Sequence, residues 1–284
     1  MRLASLPMYD ADPQAVEAWW RALSRALHAQ GVADVAERLD WPLELDAHWR
    51  DPRLLLSQAC GYPLVTSLRS SVQVVGAFRY TAPGCAGIEY RSELVARIDD
   101  AESIEGFRGR VAAVNSLDSH SGCNALRGFV APLARDGAFF GDHLVSGSHR
   151  RSLAAVQSGA ADIAAIDCVT LASLRRRDPA LLRGLRVVTS TATAPGLPLV
   201  TSASTPPDEL AALRSALHAA CGDPSTADVR DALFIGGFEA VSTDAWQVIE
   251  EVRQSAKGLD FPGQGAPADA APANDEAVRS RRLS

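Results

Sequence analysis

The feature that most limits the possible folds of this chain is the segment Val111–Leu126, where a short apolar run passes into a helical pattern through a loop of small hydroxyl residues. Val111-Ala-Ala-Val114 has the unbroken apolar character of a strand covered on both faces, and Ala125-Leu-Arg-Gly-Phe-Val130 resumes with helical spacing. Between them, Ser119, His120 and Ser121 fall at or just before a helix N-terminus. The first N–H groups of a helix lack internal partners and the helix dipole is positive there, so an oxyanion can be held without a lysine. Gly122 lets a ligand approach the backbone closely. Taken alone, Ser119 or Ser121 also reads as an ordinary N-cap.

The construction is then repeated. His143-Leu-Val-Ser146 is a strand candidate, Gly147 turns the chain, and Ser148-His149 opens a helix that runs to Ser158 with Gly159 as its C-cap. Asp162-Ile-Ala-Ala-Ile166 is the next strand and ends at Asp167. This is a βαβ unit. Open parallel sheets bind ligands beyond the carboxyl ends of their strands, so Ser119–Ser121, Ser148-His149 and Asp167 are expected along one edge. Two helix N-termini, two histidines and one carboxylate would converge there. Asp118 is also in this loop, where its carboxylate opposes a dianion unless it points away.

A chain of 284 residues with 47% hydrophobic residues can bury a sizeable core in one large domain or two lobes. Its net charge of -6 argues against a nucleic-acid partner, because the one basic run is Arg175-Arg-Arg177, which reads as a solvated helix face. The 5 cysteines are odd in number and contain no Cys-x-x-Cys pair, so neither a zinc site nor a disulfide framework is suggested and a reducing compartment suits them. Met1–Asp10 lacks the apolar core of a secretory leader, and the weakly charged stretch from Val187 to Pro207 is broken by prolines, so no membrane insertion is expected. As written, the chain is expected in the cytoplasm; it is expected in the periplasm if the true start lies upstream.

Elsewhere, Leu3–Leu6 reads as a strand, and Asp12 with Pro13 opens a helix whose core face is Val16, Trp19, Trp20, Leu23 and Leu27. Asp51-Pro52 repeats that device, so the Leu54–Leu56 run reads as helical and Ser57–Pro63 as the turn after it. Val72–Phe78 and Arg186–Thr189 are strand-like, and Tyr90–Arg97 reads as extended. Pro206–Cys221 reads as helix, and Asp228–Lys257 as mostly helical around a break at Gly236-Gly237. The pentapeptide Pro-Leu-Val-Thr-Ser stands both at Pro63–Ser67 and at Pro198–Ser202, a match too short to establish a repeat. Residues 260–284, rich in Ala, Pro, Asp and Gly, read as a disordered tail.

Gln58-Ala-Cys-Gly-Tyr62 after the Leu-rich run, Tyr90-Arg-Ser92, Ser119-His-Ser-Gly122, Gly147-Ser-His149 and the unit from Gly159 to Asp167 together resemble the phosphate/phosphonate-binding family of ABC-transporter solute-binding proteins. The resemblance covers residues 3 to 250. It implies an α/β, type II periplasmic-binding fold, in which two hinge-linked lobes close on a ligand in the cleft between them. Residues 1–88 and 187–255 would form one lobe and 89–186 the other, with hinges near Tyr90 and Arg186.

Carried over position by position, the resemblance makes Ser119, His120 and Ser121 the oxyanion-holding turn, Tyr90 an aromatic hydrogen-bonding position at the first crossover and His149 a phosphonate contact. Tyr9, Gln58 and Tyr62 belong to the facing lobe, where relatives place aromatic or polar ligand contacts. Asp167 is near a strand end where relatives hold a ligand amine with an acidic residue. Other roles stay open: Asp167 could cap a helix beginning near Val169, Tyr62 could pack against its turn, and His120 could face solvent. His28, His48, His143 and His218 read as structural.

No dinucleotide, P-loop, zinc-protease or nucleophile-elbow motif is present. The reading is therefore a binding protein for a small anionic solute, namely phosphate, a phosphonate or a phosphorylated metabolite, with no metal or organic cofactor. Its partner would be an ABC permease or another protein that reads the closed lobes. The alternative is a cytosolic enzyme of the same fold using His149 or His120 as a base.

Overall fold

The computed structural model describes residues 2–259. In chain order its elements are β1 (Leu3–Ser5), α1 (Pro13–Ala29), α2 (Leu45–Trp49), β2 (Leu54–Gln58), α3 (Gly61–Val65), β3 (Val72–Tyr80), β4 (Glu89–Tyr90), β5 (Ser92–Arg97), β6 (Val111–Val114), α4 (Ala125–Val130), β7 (Asp142–Val145), α5 (His149–Ser158), β8 (Ile163–Asp167), α6 (Cys168–Arg177), β9 (Leu185–Ser190), β10 (Ala194–Pro195), β11 (Pro198–Ser202), α7 (Pro207–Gly222), α8 (Ala227–Ala232), β12 (Ile235–Glu239) and α9 (Gln247–Ser255). They build two sheets, ordered β1-β2-β11-β3-β12 and β7-β6-β8-β5-β9, each the centre of one lobe. The short antiparallel ribbon β4–β10, with Tyr90 opposite Ala194, carries the chain between them.

Local chemistry explains most of these elements. The Asp12 carboxylate accepts from the Ala15 N–H at 3.1 Å and Pro13 fills the first helical position, so α1 begins where its orphan donors are satisfied. Its buried face, Val16, Trp19, Trp20, Leu23 and Leu27, joins the first lobe's core with Phe78, Leu199 and Leu217. In the second lobe, β6 pairs in parallel with both β7 and β8, so three strands end on the same side. Gly159 closes α5 in the left-handed conformation, φ 81°, which a residue without Cβ adopts freely.

Three expectations are corrected. Leu54–Leu56 belongs to strand β2, every residue of which is buried. Three consecutive leucines suit a doubly covered strand as well as a helix, and Asp51 accepts from the Arg53 N–H at 2.8 Å, a turn rather than a helix cap. The Gly236-Gly237 break falls inside β12, which pairs with β3 through a register shift between Ile235 and Gly237. The two glycines mark a bulged edge strand, because a Cβ at Gly237 would lie 2.4 Å from the Arg79 guanidinium. Leu185–Ser190 stays in the second sheet by pairing with β5, so the return crossing is at Ala194 and not near Arg186.

The arginine run Arg175–Arg177 is exposed, as its pattern predicts, and two of its members also reach the first lobe. Arg177 pairs with Asp12, the cap of α1. Arg176 donates to the Asp231 carbonyl at 2.7 Å and lies 4.0 Å above the Phe234 ring. Helix α6 of the second lobe thus clasps the first. The tail, 260–284, lies outside the described residues.

Helix α9 also binds both lobes. Ile249 is fully buried, a Cβ on Gly61 in α3 would meet its Cδ1 at 2.4 Å, and its carbonyl accepts from Asn124 Nδ2 at 3.1 Å. Among the described residues, no helix is long and apolar enough to cross a membrane. Ile249→Ala is expected to lower stability by about 2–5 kcal/mol, the usual cost of a buried cavity of this size, measured as a lower urea midpoint.

Candidate functional site

The strand β6 ends at Val114, and Asn115 is the first residue beyond it. The chain then turns through Ser116–Asp118 into a π-helical turn, where the Asn124 N–H donates to the Ser119 carbonyl at 3.0 Å, and continues as α4. Ser119 caps this turn through its hydroxyl, which accepts from the Gly122 N–H at 3.2 Å. Such widened turns recur at functional sites because they redirect side chains and leave backbone groups available.

Gly122 is required by its neighbours. A Cβ there would sit 1.8 Å from Asn115 Oδ1 and 3.1 Å from His149 Cε1. Without it, the first residue of α5 reaches the turn, and Ser121 Oγ meets His149 Nε2 at 2.9 Å. Burial pushes the His149 pKa down to about 4, with a weaker opposing contribution from the Ala165 backbone, so the imidazole is neutral at pH 7. Among the described residues, its buried Nδ1 makes no hydrogen bond of normal geometry and the buried Asn115 Oδ1 has no partner.

The third strand end delivers Asp167, which caps α6. Its Oδ1 accepts from the N–H groups of Val169 at 2.7 Å and Thr170 at 3.0 Å, and its Oδ2 accepts from the Tyr9 hydroxyl of the facing lobe at 2.9 Å. Burial raises the Asp167 pKa to about 6, against the lowering effect of these three donors. Tyr9 is held edge-on against Tyr80, ring centres 5.1 Å apart, and burial raises its own pKa well above the usual phenol value.

These groups line an interlobe cleft of ≈ 530 Å³, a size within the roughly 300–1,000 Å³ of small-molecule sites. Five of the nine anticipated residues line it: Tyr9, Ser119, Ser121, His149 and Asp167. The other four stand behind it. The buried Gln58 donates to the Tyr80 hydroxyl at 2.8 Å and so supports the ring on which Tyr9 rests. Tyr62 is half-buried at the start of α3 and packs with the apolar cluster that contains Trp246. Tyr90 is buried in the crossing ribbon, its ring centre 6.2 Å from that of His120.

His120 is turned inward rather than into solvent. Its backbone N–H donates to Cys60 Sγ of the first lobe at 3.4 Å, and its Nδ1 is 3.1 Å from Asn124 Nδ2. That amide nitrogen also donates to the Ile249 carbonyl, so it is fixed as a donor, and His120 Nδ1 must accept. Burial lowers the His120 pKa to about 4, leaving a neutral ring with its proton on Nε2.

Several lining residues escaped sequence reading. Asn115 had a signal, as the first residue past a parallel strand, the position where such sheets bind ligands. Trp49, Glu44 and Asp46 had none; α2 brings them to the opposite wall. The lining is acidic, with Asp10, Glu44, Asp46, Asp118 and Asp167 against Arg150. Two of these acids are already engaged, Asp46 by Arg50 at 2.7 Å and Asp118 by the Ser116 hydroxyl.

Comparison with known proteins places this arrangement in a family. Residues 55–246 match the family model described as ABC transporter, phosphonate, periplasmic substrate-binding protein. A search of curated protein sequences gives no match. Among solved structures, the binding-protein component of an ABC phosphonate transporter from Pseudomonas aeruginosa superposes with a TM-score of 0.72 at 17% identity, over 90% of this chain and 87% of that one. PhnD1 of Prochlorococcus marinus, in complex with methylphosphonate, gives a TM-score of 0.72 at 16% identity over 91% of this chain and 98% of its own. A Xanthomonas citri protein bound to ATP gives 0.67 at 16% identity over 90% and 97%. These neighbours share the two-lobe periplasmic-binding fold, and the family match covers most of the lobes described above. The chain belongs to the phosphonate family of ABC-transporter periplasmic substrate-binding proteins.

Proposed function

We propose that the cleft binds a small phosphonate or phosphate ester, with the anionic head on Ser119, Ser121 and His149 and an amino group of the ligand toward Asp167. The observation that carries this reading is the convergence of three strand ends on one cleft, bringing a serine-capped turn, a Ser121–His149 contact and a buried carboxylate within one wall. Neutral donors suit the head group. Hydroxyl, imidazole and backbone N–H groups hold an oxyanion by hydrogen bonds, which strengthen in a closed, poorly hydrated cleft. As a member of its family the protein would hand the bound ligand to an ABC permease, with no role for nucleic acid.

Ser121→Ala should weaken binding of methylphosphonate by about 1–3 kcal/mol, because an oxyanion loses a donor and His149 Nε2 loses its partner. Isothermal titration calorimetry reads this directly, and unchanged affinity would remove Ser121 from the site.

The Asp167 carboxyl predicts how the ligand's other end is chosen. Its folded pKa of about 6 lies above the unfolded value, so the ionised form weighs against the free protein, and stability falls as pH rises through that window. A ligand ammonium beside it reverses this by stabilising the carboxylate. The affinity for 2-aminoethylphosphonate should therefore rise between pH 5 and 7 relative to that for methylphosphonate, and Asp167→Asn should abolish the difference. Equal pH profiles for the two ligands in the unaltered protein would refute the amine assignment.

One observation favours a second reading. Ser121 Oγ at 2.9 Å from a neutral histidine is the contact of a nucleophile and its base. Asp167, however, is committed to Tyr9 and to the cap of α6, so it does not orient His149. His149→Ala separates the two readings: lost affinity with unchanged ligand supports binding, whereas retained affinity with lost conversion of the ligand, followed by mass spectrometry, supports an enzyme.

A further inference from the structure

Two of the five cysteines are neighbours across the lobes. Cys85 is in the loop between β3 and β4 and packs against the first lobe's core; Cys168 is the first residue of α6 in the second lobe. Their sulfurs are 3.5 Å apart, although 83 positions separate them in the chain. The approach is backed by the main chain, since a Cβ on Gly84 would lie 3.1 Å from Cys168 Cβ and 3.3 Å from its Sγ. Gly84 has φ 97°, a conformation that side chains oppose, so the loop is shaped to bring residue 85 onto the start of α6. Cys85 is half-buried and reachable from solvent, while Cys168 is buried behind it. An accessible thiol with a sheltered partner in contact is the arrangement of an attacking and a resolving cysteine.

We propose that Cys85 and Cys168 form a reversible disulfide that ties the hinge-side loop of the first lobe to helix α6 of the second. The inference is independent of the ligand reading. With a small-molecule disulfide as oxidant, the Cys85 thiolate attacks one oxidant sulfur and releases its other half as a thiol. The Cys168 thiol then gives up its proton, its sulfur attacks Cys85 Sγ, and the second half leaves as a thiol. Two electrons pass to the oxidant, and the two thiol protons end on its two halves. The two sulfurs close from 3.5 Å to the ~2.05 Å of a disulfide. The hydrogen bond with Cys168, and burial, both push the Cys85 thiol up, so little thiolate is present at neutral pH and the first attack on the oxidant is slow.

The position of the bond gives it a consequence. Cys168 directly follows Asp167, which receives the Tyr9 hydroxyl across the cleft, and α6 carries Arg176 and Arg177 onto the first lobe. A covalent link at the start of that helix anchors the same lobe contact at its other end.

The test uses the purified full chain, incubated with glutathione disulfide and alkylated before digestion under non-reducing conditions. The expected result is a linked peptide joining Cys85 to Cys168, loss of two hydrogens from the intact mass, and reversal by dithiothreitol. The oxidised protein should melt higher by roughly 5–10 °C, because the link closes a long loop in the unfolded chain. Both effects should vanish in Cys85→Ser and in Cys85→Ala, a half-exposed position where substitution leaves the fold intact. A stable mixed disulfide between glutathione and Cys85, a link to any other cysteine, or full alkylation of both thiols after oxidation would overturn the proposal.

Discussion

Closeness of Gly122 to Asn115 and His149 is the constraint on which the binding wall depends. With a side chain at 122 the turn after β6 would be pushed off the start of α5, and Ser121 would lose its 2.9 Å contact with His149. The three parallel strands would still end together, but the groups beyond them would not share one surface. Packing here decides chemistry, because a neutral histidine and a serine act jointly only at hydrogen-bond distance. Among the described residues, Asn115 Oδ1 is buried beside this contact without a hydrogen-bond partner.

The second dependence is on how the lobes meet. Tyr9 to Asp167, the His120 backbone to Cys60, and Arg176 and Arg177 to α8 and the cap of α1 are interactions across the cleft or beside the hinge. Each joins polar groups, beside an apolar contact in which Cys168 and Val169 at the start of α6 pack into the first lobe's core. Polar contacts of this kind are exchanged for water at modest net free energy, about 1 kcal/mol each, which suits surfaces that separate and rejoin. Helix α9 differs, for it sets the buried Ile249 side chain against α3 and its carbonyl under Asn124 Nδ2.

Much of this was legible in the sequence where chemistry is local. The caps at Asp12, Ser119, Ser148 and Asp167 lie where the residue pattern puts them, because a cap is decided by one side chain and the next three N–H groups. The failures are long-range. Pro-Leu-Val-Thr-Ser forms helix α3 and its C-terminal turn at Pro63–Ser67, yet strand β11 at Pro198–Ser202, so the same five residues obey different surroundings. Leu54–Leu56 and the stretch around Gly236-Gly237 were misread for the same reason, since pairing with β1, β11 and β3 fixes them and no local pattern announces those partners. Within the site, strand-end positions could be read, whereas the inward turn of His120 follows from the Ile249 carbonyl, which sequence spacing does not bring near Asn124.

The charge of the cleft sharpens what it selects. A wall with five acids and Arg150 repels a simple dianion at long range, and fixed dipoles must supply the attraction at contact. Asp46 is offset by the Arg50 cation, whereas the hydroxyl on Asp118 is neutral and offsets no charge, which leaves Asp10, Glu44, Asp118 and Asp167 to shape the field. Of these, Asp167 is the group whose ionisation is held back by burial, so its charge is recovered when a cation is bound beside it. On the proposed reading, a zwitterion would meet both requirements, with its anionic end on the serine turn and its cationic end on the carboxylate, while a bare anion would satisfy one and oppose the other. On that reading, selectivity in this cleft would come from the distance between the two charges of the ligand, set by the separation of strand ends β6 and β8.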